Sequence, residues 1–159
     1  MALGPQALTT VPALRAQLAG GATDDTTGRL AEASLAALIE RASAAIEGYC
    51  DRVLLAPTDD QTYHLDGNGE QRLVLPEWPI AALTSLRIDG EDIAPRGDGP
   101  SGYVAREAEG WLDLRGHTFT VGLGNIEVVG RLGYDPVLAL SERRHRRALA
   151  DLEAACLLL

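Results

Sequence analysis

The chain switches its residue period twice, and that limits the folds open to it. Up to about Pro57, apolar residues recur at helical spacing. From about residue 58 to 136, short alternating runs are separated by Gly, Pro, Asn and Asp. From about residue 137 onward the helical spacing returns. No internal repeat of fixed period is visible. This order predicts an α+β protein: a small α-helical bundle (short helix, long helix, C-terminal helix) with an inserted antiparallel β-rich sandwich or barrel. The helical domain takes residues 1–57 and 137–159, and the inserted domain 58–136. At 159 residues, such a chain can bury roughly 70% of the surface it exposes when unfolded, enough for a core without disulfide or metal staples.

The helical segments can be placed from their punctuation. Thr9-Thr10 precedes Pro12, with Val11, Leu14 and Leu18 at helical spacing and Gly20-Gly21 as a stop. Thr23-Asp24-Asp25 opens a second helix of about 26 residues, roughly 39 Å long. Its expected apolar stripe is Leu35, Leu38, Ile39, Ala42, Ile46, Tyr49, Cys50 and Val53, in steps of 3 and 4 with neighbours between. A last helix starts near Pro136 or Ser141 and aligns Leu149, Leu152, Cys156 and Leu159. Leu35, Leu38, Ile39, Ala42, Ile46, Tyr49, Cys50, Leu149, Leu152 and Cys156 form the expected helix-packing core, and the two cysteines read as reduced core thiols.

The middle region reads as strands and turns. Residues 61–65 and 71–75 flank Asp66-Gly67-Asn68-Gly69. Residues 83–88 end at Asp89-Gly90. Residues 102–104 and 111–114 flank Glu109-Gly110, and a last run starts at Ile126. Pro76, Pro79, Pro95 and Pro100 confine those positions to loops or sheet edges.

Composition excludes several chemistries. All fourteen basic residues are Arg, so a P-loop lysine, a Schiff-base lysine and a Ser-Lys dyad are absent. Two distant Cys and three scattered His give no zinc pattern. No apolar run reaches about 18 residues, so no helical membrane span is expected, and the first residues lack the basic and apolar regions of a signal peptide. The net charge of −9 opposes broad nucleic-acid binding. Residues 58–136 hold six Arg and fourteen acids, whereas residues 137–159 hold four Arg and three acids.

Candidate sites are few. Asp66, Asn68 and Glu70 imitate the first ligands of a calcium loop, but Gln71 stands where glycine is needed, and a hairpin turn explains them better. Gly122-Leu123-Gly124 begins a dinucleotide fingerprint that Glu127 breaks. His64, His117 and His145 have no nucleophile beside them and read as surface or loop groups. The acids of the middle region read as a solvated surface. Trp78 is either an interface anchor or a loop residue folded over the sheet. Arg143, Arg144, Arg146 and Arg147 repel one another on one helix start. They are either a docking surface for partner carboxylates or nucleic-acid phosphate, or a solvated face paired with the acidic middle. Leu157, Leu158 and Leu159 close the helix inside an apolar pattern that calls for a covering surface.

Several segments, taken in order, resemble a known family. They are Leu8-Thr9-Thr10, then Asp24-Asp25, then the helix from Leu38-Ile39-Glu40-Arg41 to Gly48-Tyr49-Cys50-Asp51-Arg52. After it come Trp78-Pro79-Ile80, Leu83-Thr84-Ser85-Leu86-Arg87-Ile88-Asp89-Gly90, and Gly133-Tyr134-Asp135-Pro136 before an Ala- and Leu-rich helix. From about Leu8 to Leu152 the chain resembles the head–tail connector (adaptor) proteins of tailed bacteriophages and gene transfer agents.

The resemblance implies a structural protein without catalytic residues, metal or cofactor. It implies a homo-oligomeric ring, typically of about twelve copies, beneath the portal protein in the virion neck, assembled in the host cytoplasm. The ring would extend the channel for packaged DNA without reading its sequence and would present a platform for a stopper or tail protein. By position, the portal contact maps onto Arg143, Arg144, Arg146, Arg147, Leu157, Leu158 and Leu159. Two departures stand out. The strand-rich insertion of 79 residues is larger than in the simpler, almost wholly helical members, and the long portal-inserting tail is absent or removed. The alternatives are a stopper or tail-completion protein, a small ligand-binding or hydrolase domain on the strands, or a helical DNA-binding protein using the Arg cluster.

Overall fold

The computed structural model describes residues 3–19 and 31–159. They fall into two units, Met1–Leu55 with Pro136–Leu159, and Ala56–Asp135.

The first unit is built from three helices. Helix α1 (Val11–Ala19) starts where the Thr10 hydroxyl accepts the Ala13 N–H at 3.3 Å, a side-chain cap on one orphan donor. Gly20-Gly21 and Thr23-Asp24-Asp25 lie outside the described residues. Helix α2 (Glu32–Cys50) begins at Glu32, later than expected, because Ala31 is extended (φ −59°, ψ 137°). Its 19 residues span about 28 Å. It ends at Asp51, which adopts the left-handed conformation (φ 51°) that Asp tolerates better than most residues. A 3-10 turn (Leu138–Leu140) precedes helix α3 (Arg143–Leu158), which starts only after Glu142 because that residue is also extended.

The buried face of α2 differs from the expected stripe. Leu35, Ala36, Ile39 and Ser43 are buried, with Ala42 and Ile46 packed beside them. Leu38 (52% exposed) and Tyr49 (92%) are outside this core, because they lie roughly 80–100° round the helix from its centre. Cys50, at the last residue of the helix, is exposed, as is Val53. Leu8, Val11, Leu54, Leu55 and Cys156 complete the cluster, with Leu149 and Leu152 partly buried against it.

A polar row runs along α2 next to that cluster. Glu40, Ser43 and Glu47 accept the backbone N–H groups of Gly4 (3.2 Å), Leu8 (3.0 Å) and Leu54 (3.1 Å). Positions 40, 43 and 47 share one helix face. They fasten the segment before α1 and the segment after α2, neither of which has regular hydrogen bonding of its own.

The second unit holds seven strands: β1 (Gln61–Gly67), β2 (Arg72–Val74), β3 (Ile80–Ile88), β4 (Glu91–Asp92), β5 (Gly102–Arg106), β6 (Trp111–Arg115) and β7 (Gly122–Leu132). All pair antiparallel, in sheets ordered β1-β7-β3-β4 and β2-β6-β5. Alternation sets the faces. Ile126, Val128 and Leu132 of β7, Leu86 and Ile88 of β3, and Leu112 and Leu114 of β6 point into one apolar cluster shared by both sheets and closed by Phe119. The barrel alternative fails because no described strand pair joins the two sheets. Of the two expected forms, the open sandwich is the one observed.

Two positions require glycine. Gly130 faces β3 between its two register shifts, and a Cβ there would lie 2.3 Å from the Ala82 carbonyl oxygen. Asp89 and Gly90 (φ 53° and 83°) both take positive φ in the two-residue β3–β4 turn, the pattern of a type I′ hairpin.

Candidate functional site

The Arg cluster at the start of α3 divides into groups with different tasks. Arg146 donates from Nε to the Ala139 carbonyl (3.0 Å) and from Nη2 to the Leu140 carbonyl (2.8 Å). It thereby caps orphan acceptors of the preceding 3-10 turn. Arg144 pairs with Glu142 at 3.3 Å. Arg143 and Arg147 are exposed, and no side-chain hydrogen bond or ion pair joins either to another described residue. They stand at i and i+4, so their like charges sit side by side on one face. With no acid in the first turn of α3, the positive helix end adds to the same field. This is a face suited to anionic groups of a partner.

His145 corrects the expectation of a surface histidine: it is fully buried. It lies on the same stripe as Leu149, Leu152 and Cys156, at intervals of 4, 3 and 4. Its Nε2 is 3.7 Å from the Glu142 carboxylate. His64 and His117 are exposed.

The end of α3 borders an apolar groove of about 560 Å³ between α1, α2 and α3. Leu14, Leu18, Leu38, Ala45, Leu158 and Leu159 line it, and four of these are exposed leucines (Leu18, Leu38, Leu158 and Leu159). Leu38 thus belongs to this groove rather than to the buried core. A second groove of about 660 Å³ runs beside α3 between Leu8, Leu55, Leu140 and Leu149. The helical unit therefore carries two apolar concavities, more exposed apolar surface than scattered single residues account for.

On the strands, the calcium and dinucleotide imitations dissolve into turn chemistry. Asn68 accepts the Glu70 N–H (2.9 Å) and donates to the Arg72 carbonyl (2.9 Å), as an Asx turn does. Asp66 accepts the Gly124 N–H at 2.6 Å. Asn125 donates to Asp89 at 3.0 Å and to the Thr120 carbonyl at 2.9 Å. Hydrogen bonds from Thr120 and Asn125 hold the Asp89 carboxyl below the usual carboxylate range. Trp78 is 43% exposed, and its Cβ closes over Gly110, where an added Cβ would come within 2.5 Å. Among the described residues, no group of three His, Cys, Asp or Glu is placed to hold a metal ion, and no helix is long and apolar enough to cross a membrane.

One feature escaped sequence reasoning. The outer face of β2-β6-β5 carries Arg72, Trp111, Asp113, Arg115 and Arg106, alternating with the buried Leu73, Leu112 and Leu114. Arg72 donates to both Asp113 oxygens (2.7 and 3.3 Å), and Arg106 reaches the same carboxylate at 3.3 Å. The Arg72 guanidinium also stacks 4.7 Å above the Trp111 ring. These contacts, the Arg72 hydrogen bond first, pull the Asp113 carboxyl below its ordinary value. With Arg96, the face forms a polar groove of about 580 Å³. The signal was available in the period-2 alternation of these strands, but the arginines are spread over 44 positions and read singly.

No protein family and no curated protein matches the sequence. Solved structures similar in fold include two from gene transfer agent particles. One is a chain in the neck of an empty gene transfer agent (GTA) particle computed with C6 symmetry, at 21% identity, covering 98% of this chain and 80% of that one, with a TM-score of 0.57. The other is a chain in the virion of a native gene transfer agent particle, at 21% identity, covering 98% and 79%, with a TM-score of 0.53. The whole α+β arrangement, helices and inserted sheets together, is thus a fold that a gene transfer agent particle also contains.

Proposed function

We propose that this chain is a structural component of the neck of a phage-like particle of the gene transfer agent type, and within the neck its adaptor. The observation that carries this reading is the extent of the likeness to the GTA neck chain, which takes in 98% of this chain. The insertion is therefore part of the shared fold.

The surfaces fit such a role. A ring closes through head-to-tail contacts between two different faces of each subunit. The helical unit offers two apolar grooves that water alone covers poorly. A neck computed with sixfold symmetry is compatible with a ring of about twelve copies. In this reading Arg143, Arg147 and Leu157–Leu159 meet the portal, and another face of the ring receives a stopper or tail protein. DNA then passes through the channel without base readout, and no bond is made or broken.

Electron microscopy of the purified protein, alone and mixed with portal particles, tests the proposal. Rings seated against the portal are the expected result. A protein that stays monomeric and ignores portal particles overturns it, and density below the portal but not touching it assigns the chain to the stopper position instead.

A further inference from the structure

Charge in the strand unit is sorted by face. Residues 56–135 carry six Arg and fourteen acids. Four of the six arginines, at 72, 96, 106 and 115, line the groove on the outer face of β2-β6-β5, against only Asp113 and Glu70. The groove is thus +2, while the rest of the unit is −10. Arg72 and Arg106 are partly neutralised by the carboxylate they share. Arg96 has only a 3.5 Å contact to the Gly99 carbonyl, and Arg115 pairs with no described residue. Asp113 already shows how a carboxylate seats among these guanidiniums, two-pronged on Arg72.

The most compact acidic projection of the same unit is the β3–β4 hairpin at the open edge of the other sheet: Asp89, Glu91 and Asp92 stand against Arg87, so residues 87–92 are net −2. Asp89 is held by Thr120 and Asn125 and Asp92 pairs with Arg87, while Glu91 is exposed. We infer that the acidic β3–β4 hairpin of one copy docks into the Arg72–Arg96–Arg106–Arg115 groove of the next copy. The inference rests on the ring reading above. It names a subunit contact made by the strand unit, in addition to whatever the helical unit supplies. Groove and hairpin are different surfaces of the unit, as a head-to-tail contact that propagates around a ring requires. A second copy suits the groove better than duplex DNA does. A long polyanion overruns the +2 groove and meets the −10 remainder, whereas a hairpin tip presents its charge over one short stretch.

A charge-swap experiment decides the matter. Arg96→Glu/Arg115→Glu reverses the groove while leaving the Arg72–Asp113–Arg106 trio intact. Glu91→Arg/Asp92→Arg reverses the hairpin and gives up only the exposed Arg87–Asp92 pair. Self-association is followed by sedimentation, and copies bound per portal particle are counted by electron microscopy. Each variant alone is expected to assemble at least about tenfold more weakly than wild type. An equal mixture should recover to within about threefold, because groove and hairpin then alternate in matched pairs around the ring. Thermal unfolding and circular dichroism check folding, and Arg96→Ser/Arg115→Ser with a salt titration replaces the first variant if it is unfolded.

Variants that assemble like wild type overturn the inference but leave the neck reading standing, and so does a mixture that recovers nothing. Loss of low-salt duplex DNA binding in the groove variant alone also overturns it, by showing that the groove serves phosphate. Wild-type protein that neither self-associates nor binds portal particles overturns the neck reading itself.

Discussion

The Ser43 hydroxyl lies 3.7 Å from the Cys156 sulfur, joining the middle of α2 to the end of α3 inside the helical core. The same oxygen accepts the buried Leu8 N–H at 3.0 Å. One small polar side chain thus ties three segments separated by up to 148 positions in sequence. Ser43→Ala removes the acceptor and strands a buried donor, at a cost of about 1–3 kcal/mol. Urea unfolding measures it, and a loss below about 0.5 kcal/mol would show that Leu8 finds another partner.

Ile39 and Tyr49 sit on the same helix with opposite roles. Ile39 is 2% exposed and Tyr49 is 92% exposed. Ile39→Ala should cost about 2–5 kcal/mol, from lost burial plus the cavity left behind. Tyr49→Ala should stay within about 0.5 kcal/mol. Leu38→Ala should also spare the monomer, because Leu38 is half exposed in the groove beside α3. If that groove is a subunit contact, Leu38→Ala weakens assembly while denaturant midpoints stay put. Equal effects of all three changes on monomer stability would contradict this division.

The course of the chain was legible because period and punctuation are local. Alternation around Ile126 and Val128, the turn signals Asp89-Gly90 and Glu109-Gly110, and the Thr10 cap each act within a few residues. What was not legible depends on where an element meets its neighbours. The apolar positions of α2 describe a band wider than one face, and only packing selects Leu35, Ala36, Ile39 and Ser43 over Leu38 and Tyr49. The roles of Glu40 and Glu47 carry no local signal, because their backbone partners, Gly4 and Leu54, belong to irregular segments. The Arg143–Arg147 run was visible as composition. That Arg146 instead serves the carbonyls of Ala139 and Leu140 follows from the 3-10 turn, which the sequence did not announce. The Arg groove on β2-β6-β5 requires strand register to bring residue 72 beside residue 113.

Asp113 gives the strand unit a pH dependence with a definite sign. Its carboxyl is held below its ordinary value of 3.8, first by the Arg72 hydrogen bond and then by Arg106. A depressed folded-state value means that the contribution is present above the unfolded-state value and lost as pH falls through the folded one. Wild-type stability should therefore drop as pH falls below about 4. Because Asp113 is partly exposed (23%), solvent screens the pair and the drop is modest. Asp113→Asn should be less stable than wild type near neutral pH and converge with it in acid. Thermal midpoints over the acid range give the test, and a constant difference at every pH would remove Asp113 as the cause.

Gly130→Ala probes the join between β7 and β3. The added Cβ would lie 2.3 Å from the Ala82 oxygen and 3.1 Å from the Leu83 Cα, both backbone atoms that cannot swing aside. The strands must part locally, weakening the ladder that carries Ile126 and Val128 into the core. A loss above about 2 kcal/mol is expected, read as a lower thermal midpoint and as faster amide exchange in β7. Gly90→Ala meets no atom within 4 Å but places a side chain at φ 83°, so its cost should be smaller, near about 1 kcal/mol.

In the adaptor reading, Arg143 and Arg147 serve docking to the portal rather than folding. Both are exposed on one face of α3, and their side chains make no described hydrogen bond or ion pair, whereas Arg146 fastens the 3-10 turn through two carbonyls. Arg143→Ser/Arg147→Ser should leave the denaturant midpoint within about 0.5 kcal/mol of wild type, or raise it slightly by relieving repulsion at the positive end of the helix. The same variant should bind portal particles more weakly, and the deficit should shrink as salt is raised, because exposed charge pairs are screened. Arg146→Ser should do the reverse, costing about 1 kcal/mol of stability through two lost hydrogen bonds with a smaller effect on docking. Undiminished portal binding by Arg143→Ser/Arg147→Ser would reduce this face to a solvated helix start.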